Sequence, residues 1–206
     1  MLTHEISANK DCLISLSPAQ SGAMSLTFKV PTKRYGDELL NLDCAPELIG
    51  LGLFPNFKEV TESFSCFNAV RRYVPVPLDD HNVTAFIVGD GGTPRTGATF
   101  AFRTKWDVVS IDPILNHKPQ WSEIQRLVLY RNKINELTFD VDTAVIIMPH
   151  SHAPILDVLN NISARIRHLI AMPCCQEQVL EKKPDIEYAD WGVWSPERYV
   201  RIWLDI

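Results

Sequence analysis

The chain is predicted to fold as a doubly wound α/β protein: a mostly parallel sheet, an antiparallel hairpin at the C-terminal end and an N-terminal α+β extension. Three observations carry that prediction. The apolar run Ala85-Phe86-Ile87-Val88 enters the turn Gly89-Asp90-Gly91-Gly92, as a buried strand entering a tight, backbone-exposing turn does. A second apolar stretch, Asp107 to Ile111, ends on Asp112, about 20 positions past the turn, where nucleotide-binding βαβ units hold ribose hydroxyls. Apolar runs at Leu127 to Tyr130, Thr143 to Met148 and His168 to Met172 alternate with helix-like segments, which makes the sheet parallel and Rossmann-like.

A chain of 206 residues accommodates one domain with an extension. We divide it into residues 1–80, a cap packed on the core, and residues 81–206, the α/β domain. With 46% hydrophobic and 22% charged residues the composition is that of a globular protein with a real core. A net charge of -5 argues against coating of nucleic acid, which needs a basic face, without excluding a local basic groove. There is no apolar run of about 18 residues, the length that spans a membrane. The opening Met1-Leu2-Thr3-His4-Glu5 lacks the basic-then-apolar pattern of a secretory signal. Cys12, Cys44, Cys66, Cys174 and Cys175 form an odd set without framework spacing, so reduced thiols and a cytoplasmic location are expected.

In chain order, Cys12 to Ser17 and Ala23 to Val30 alternate apolar and polar residues around a Ser-Pro-Ala-Gln-Ser-Gly turn, the pattern of a hairpin. Asp37 to Leu42 reads as a short helix and Leu48 to Phe54 as an apolar stretch broken by Gly50 and Gly52. Glu59 to Tyr73 has a helical rhythm through Val60, Phe64, Phe67 and Val70, with Arg71 and Arg72 suiting its C-terminal dipole and Pro75 ending it. After the glycine turn, Thr93 is expected as N-cap and Pro94 as first helical residue. Beyond Asp112 we expect a short helix over Trp121 to Leu127, then the strand 127–130. The strand 143–148 closes on Pro149-His150-Ser151-His152, and a helix over Pro154 to Ile166 follows. The strand 168–172 closes on Pro173-Cys174-Cys175, and residues 176–183 read as a polar exposed segment. Tyr188 to Trp194 and Tyr199 to Leu204 are aromatic-rich strands of a hairpin at the sheet edge.

In an open α/β sheet, ligands lie outside the carboxyl ends of the strands. The chemically distinctive residues fall there: Gly89, Gly91 and Gly92 after the first strand, Asp112 after the second, Asn132 after the third, His150 and His152 after the fourth, Cys174 and Cys175 after the fifth. The G-x-G-x-x-G dinucleotide fingerprint is not met, because Pro94 stands where its third glycine should fall, which counts against NAD and FAD. Arg95, in the first turn of the following helix, is read either as a partner for a carboxylate or phosphate or as a surface arginine.

On these residues, the run Val88-Gly89-Asp90-Gly91-Gly92, the acid ending strand two and the closing strand pair, the chain resembles the class I S-adenosylmethionine-dependent methyltransferases over roughly residues 83–206. The Pro-Cys-Cys paired with a His-containing loop is similar to a subgroup of tRNA ribose 2′-O-methyltransferases. The resemblance implies a methyltransferase (EC 2.1.1 class) using S-adenosylmethionine, with RNA as the expected substrate. It places Gly89, Gly91 and Gly92 under the methionine part of the cofactor, Asp112 on the ribose hydroxyls, Asn132 at the adenine, and Pro149, His150 and His152 facing the transferred methyl. The acid the family usually has two places before the first loop glycine is here Ile87; Asp90 inside the loop either meets the cofactor's amino group instead or only makes a turn. Neither an Asn-Pro-Pro-Tyr motif nor a Lys-Asp-Lys-Glu set is found, so the acceptor atom stays open.

The sulfonium is already activated, so holding an acceptor in line supplies much of the acceleration. His150 or His152 would take the acceptor's proton. Two other readings stand beside this one. One is a methyltransferase-like domain that binds without catalysis. The other is a zinc-dependent hydrolase in which His150, His152, Cys174 and Cys175 form a tetrahedral set.

Overall fold

The computed structural model describes residues 33–174 and 180–206, together with the backbone of three strands that precede them. Those strands are β1 (His4–Asn9), β2 (Cys12–Pro18) and β3 (Met24–Lys29), paired antiparallel in that order. The pair β2–β3 is the expected hairpin; β1, with only Ile6 and Ala8 apolar, carries too little pattern to be read from sequence. Next come α1 (Arg34–Leu40), α2 (Ala45–Gly50) and the long α3 (Phe57–Tyr73). The start of α3 is set by Asn56, whose side chain accepts from the Glu59 amide at 3.1 Å, and by Glu59 in the first turn.

The main sheet has seven strands. β4 (Val83–Val88) leads through α4 (Arg95–Arg103) to β5 (Asp107–Ile111), then through α5 (Pro119–Ser122) to β6 (Leu127–Tyr130). β7 (Phe139–Pro149) leads through α6 (Ile155–Asn161) to β8 (Ile162–Met172), and β9 (Ile186–Ala189) and β10 (Tyr199–Trp203) complete it. Spatial order is β6-β5-β4-β7-β8-β10-β9. The first five are mutually parallel, and β10 runs antiparallel to both β8 and β9. The closing hairpin is thus the predicted antiparallel edge, with its second strand on the inside. Order reverses between β4 and β7, which opens a crevice at their carboxyl ends.

The apolar runs are continuous because both sheet faces are covered. Ala85 and Ile87 of β4 pack with α3 and α4 residues such as Phe64, Phe67 and Phe100, whereas Phe86 and Val88 pack on the opposite face with Ile155 and Val158 of α6. Ile87, Ile146 and Ile147 are fully buried, and each contributes roughly 1.5–3 kcal/mol. Helices α1 to α3 share the first of these clusters, so residues 34–73 pack into the same core as the sheet.

Several local expectations fail. The helix expected over Trp121 to Leu127 is the single turn Pro119–Ser122, and the strand expected over Tyr188 to Trp194 is Ile186–Ala189. The helix expected over 154–166 stops at Asn161, and Ile162 begins an eleven-residue strand paired with β7 from Phe139↔Ile162 to Pro149↔Met172. The sequence Ile162-Ser163-Ala164-Arg165-Ile166-Arg167 alternates, and a long parallel partner rewards that two-residue period over the helical one. Helix α4 begins at Arg95, not at Pro94, and its N-terminus is capped by Asp90 rather than by Thr93. The Asp90 carboxylate accepts from the amides of Thr96 and Gly97, each at 2.9 Å. Of the polar segment expected over 176–183, residues 176–179 lie outside the described residues, and residues 181–183 are exposed as expected. Among the described residues no helix is long and apolar enough to cross a membrane.

Candidate functional site

At the crevice lies a cavity of about 570 Å³, within the size range of small-molecule sites. The ends of β4, β5, β6 and β7 contribute to its wall, and α3 closes the remaining side with Lys58, Glu59 and Glu62.

The floor is the turn after β4. Gly89 donates its amide to the Ile111 carbonyl at 2.9 Å and has a φ of 89°. A Cβ on Gly89 would sit 2.5 Å from Ser151 Oγ and 2.9 Å from Ser151 Cα, so the turn and the loop after β7 touch backbone to backbone. Only glycine allows that approach.

Asp112 lines the cavity with a carboxylate that is oriented by two amides. Its Oδ2 accepts from Gly91 at 2.8 Å and its Oδ1 from Ile114 at 2.9 Å. An ionised carboxylate has about four acceptor positions, so each oxygen keeps one for a ligand hydroxyl. Beside it, Pro113, Ile114 and Ile134 offer apolar surface, and Asn132 lies at the cavity wall with its side-chain amide donating to Glu136 at 3.1 Å.

Opposite stands the loop closing β7. His150 has a φ of 54°, and its amide donates to Met172 O at 3.0 Å, which prolongs the β7–β8 ladder and fixes the imidazole's origin. His150 Nε2 lies 3.2 Å from Glu62 Oε1, in ion-pair reach but not aligned as a hydrogen bond. The Glu62 side chain is 3% exposed, and Lys58 Nζ donates to the same oxygen at 2.9 Å. Burial works against its ionisation, yet His150 and Lys58 together hold the carboxyl below the usual carboxylate range. His152 also lines the cavity, with Nε2 at 3.0 Å from Cys174 Sγ.

Gly89, Gly91, Asp112, Asn132, Pro149, His150 and His152 therefore share one cavity wall. Asp90 and Gly92 do not line it. The Asp90 side chain is fully buried on the helix side, where it accepts from Thr96, Gly97 and Ser110 Oγ (2.9 Å), and burial pushes its carboxyl up in spite of Arg95 and those donors. Of the two roles open to Asp90, the turn-and-cap role is the one its position serves. Gly92 O accepts from the Asn116 backbone and side chain, which bolts the turn to the segment after β5. Arg95 is no surface residue: its side chain is 11% exposed and faces the cavity.

Among the described residues no three His, Cys, Asp or Glu side chains gather as a metal set: His150 sits on Glu62 and His152 on Cys174, while Cys175 lies outside those residues. Sequence reasoning missed Glu62 and Glu59. Their signal was a helix whose apolar rhythm is interrupted by acids, which also reads as an ordinary solvated face.

No family model matches the chain, and no curated protein matches it. Among solved structures it is similar to a mutant of MtNAS in complex with S-adenosylmethionine, at 11% identity and a TM-score of 0.46, over 82% of this chain and 69% of that one. It is similar also to the same mutant crystallised again (12%, TM-score 0.40, 82% and 67%) and to MtNAS in complex with MTA and tNA (14%, TM-score 0.41, 84% and 69%). At such scores the likeness concerns the path of the backbone and says nothing of substrate or chemistry.

Proposed function

We propose that the protein is an S-adenosylmethionine-dependent transferase, in the first instance a methyltransferase, with His150 as the group that receives the acceptor's proton. One observation carries this reading: a carboxylate pre-oriented by two backbone amides, a glycine turn too tight for a Cβ and an imidazole backed by a buried carboxylate face a single cavity at the sheet's topological switch point. The residues fit the cofactor. Asp112 retains acceptor capacity for two ribose hydroxyls, Ile114 and Ile134 can flank a purine ring, and Gly89 and Gly91 line the cavity where a sulfonium would lie.

Bound there, the sulfonium supplies an activated methyl. The chain's own residues then orient and deprotonate. Because Ser151 abuts Gly89, the His150 imidazole is held next to the glycine turn, and an acceptor reaching the methyl passes it. As His150 takes the proton, the ionised Glu62 stabilises the imidazolium that forms. His152, on the same loop, lies within the wall and serves acceptor binding in this reading.

Glu62 and Asp157 put carboxylates on the acceptor side. This suits a neutral or cationic small nucleophile better than a phosphate chain, so the RNA acceptor and the tRNA ribose subgroup expected from the sequence draw no support from this wall. Calorimetric titration with S-adenosylhomocysteine tests the cofactor reading, with saturable 1:1 binding expected. Absence of binding would remove it. A labelled-methyl assay on amine, hydroxyl and RNA pools then tests transfer. His150→Asn and Glu62→Gln should abolish turnover while changing the affinity for S-adenosylhomocysteine less than about threefold, since neither residue touches the nucleoside half.

A further inference from the structure

The cavity wall holds a second pair of opposite charges beyond the glycine turn, and no role above uses it. Arg95 Nε lies 2.8 Å from Glu59 Oε2, with the two side chains 11% and 20% exposed. The arginine also donates to the Asp90 carbonyl, which pins the guanidinium above Gly91. Its Nη1 lies 2.9 Å from the position a Gly91 Cβ would take. Glu59 Oε2 and Arg95 Nε are buried, and their ion pair is not aligned as a hydrogen bond, so each keeps unused hydrogen-bonding capacity. Two poorly satisfied, oppositely charged groups side by side in a cavity match a ligand that carries an ammonium and a carboxylate on one carbon.

Their position fixes which end of a ligand they meet. Gly91 donates its amide to Asp112 on one side and carries the Arg95 guanidinium on the other. A nucleoside whose sugar rests on Asp112 and whose chain crosses the glycine turn therefore ends at Glu59 and Arg95. The other acids near the turn are engaged: Asp90 is buried against the amides of α4, and Glu62 is bound to Lys58 and His150.

We propose that Glu59 and Arg95 form the subsite for the α-amino-acid end of the cofactor, the ammonium on Glu59 and the carboxylate on Arg95. The inference rests on the cofactor reading above. It makes helix α3, from the segment before residue 80, part of the cofactor site.

The test compares two nucleosides that differ only beyond the sulfur: S-adenosylhomocysteine, which carries the amino-acid end, and 5′-methylthioadenosine, which lacks it. The full chain should bind the first about ten- to a hundredfold more tightly, the range of one or two charged hydrogen bonds. Glu59→Gln should reduce that preference by about tenfold while the affinity for 5′-methylthioadenosine changes less than twofold. Unchanged 5′-methylthioadenosine binding also shows that the variant is folded. A wild-type protein with equal affinity for both nucleosides, or a Glu59→Gln variant with an undiminished preference, would overturn the subsite while leaving the cofactor reading intact. A variant that weakens both nucleosides equally would do the same, because the effect would then lie in the fold. A wild-type protein that binds neither removes the cofactor reading, and this inference with it.

Discussion

Replacing Gly89 with alanine probes the close approach on which the site is built. Two costs can be read from the geometry. At a φ of 89° an L-residue is strained, by roughly 1–3 kcal/mol. The new methyl would meet Ser151 Oγ at 2.5 Å, Cβ at 2.7 Å and Cα at 2.9 Å, so backbone as well as side chain must yield. Overpacking of this kind costs about 1–3 kcal/mol. The sum, roughly 2–6 kcal/mol, is a large share of an ordinary domain stability of about 5–15 kcal/mol. Urea unfolding of Gly89→Ala should therefore show a clearly lowered midpoint with an unchanged slope. Ser151→Gly in the same background deletes the serine side chain but leaves its main chain in the way and the strain at residue 89 in place. It should restore about 1–2 kcal/mol and no more. A loss under about 1 kcal/mol in Gly89→Ala, or no rescue by Ser151→Gly, would refute the close approach of the two loops.

Other expectations concern separate parts of the molecule. Asp112→Ala removes the acceptor for the Gly91 and Ile114 amides and, on the proposed cofactor reading, the acceptor for the ribose, and should weaken S-adenosylhomocysteine binding by about ten- to a hundredfold in calorimetry. Asp90→Ala strips the cap from α4 and leaves the donors of Thr96, Gly97 and Ser110 buried without it; urea unfolding should register a loss of about 2–4 kcal/mol, the cap plus unsatisfied donors. His168 is buried, and burial holds its pKa below the ordinary histidine value against the pull of Asp205. The unfolded imidazole, near pH 6.5, takes up its proton before the folded one does, so stability is complete above about that pH and falls as the pH drops below it. His168→Gln should show a shallower decline from about pH 6.5 to 5 than wild type in pH-series unfolding, and parallel curves would contradict the assignment.

Much of the parallel sheet was legible because burial on both faces writes itself as unbroken apolar runs. Ala85 to Val88, Val108 to Ile111 and Ala144 to Met148 could hardly be anything else. The strand start at Ile162 was not, since Ile155, Leu156, Leu159 and Ile162 also satisfy a helical period and only the ladder with β7 decides between them. Of the candidate site, the strand ends were readable in advance because topology alone sends them to one edge. Glu59 and Glu62 were not, for their meaning lies in what α3 packs against.

The amino-acid sequence alone determined the strand–turn–helix at residues 83–103, the acid that follows β5 and the histidines that follow β7, because local period and glycine placement dictate them. Tertiary structure alone decided that Asp90 serves the helix and not the cavity, that Arg95 faces inward, and that a helix from the N-terminal segment supplies two carboxylates. The reason is physical: a backbone period is a property of neighbours in the chain, whereas the burial, pairing and charge state of a side chain are set by groups dozens of residues away.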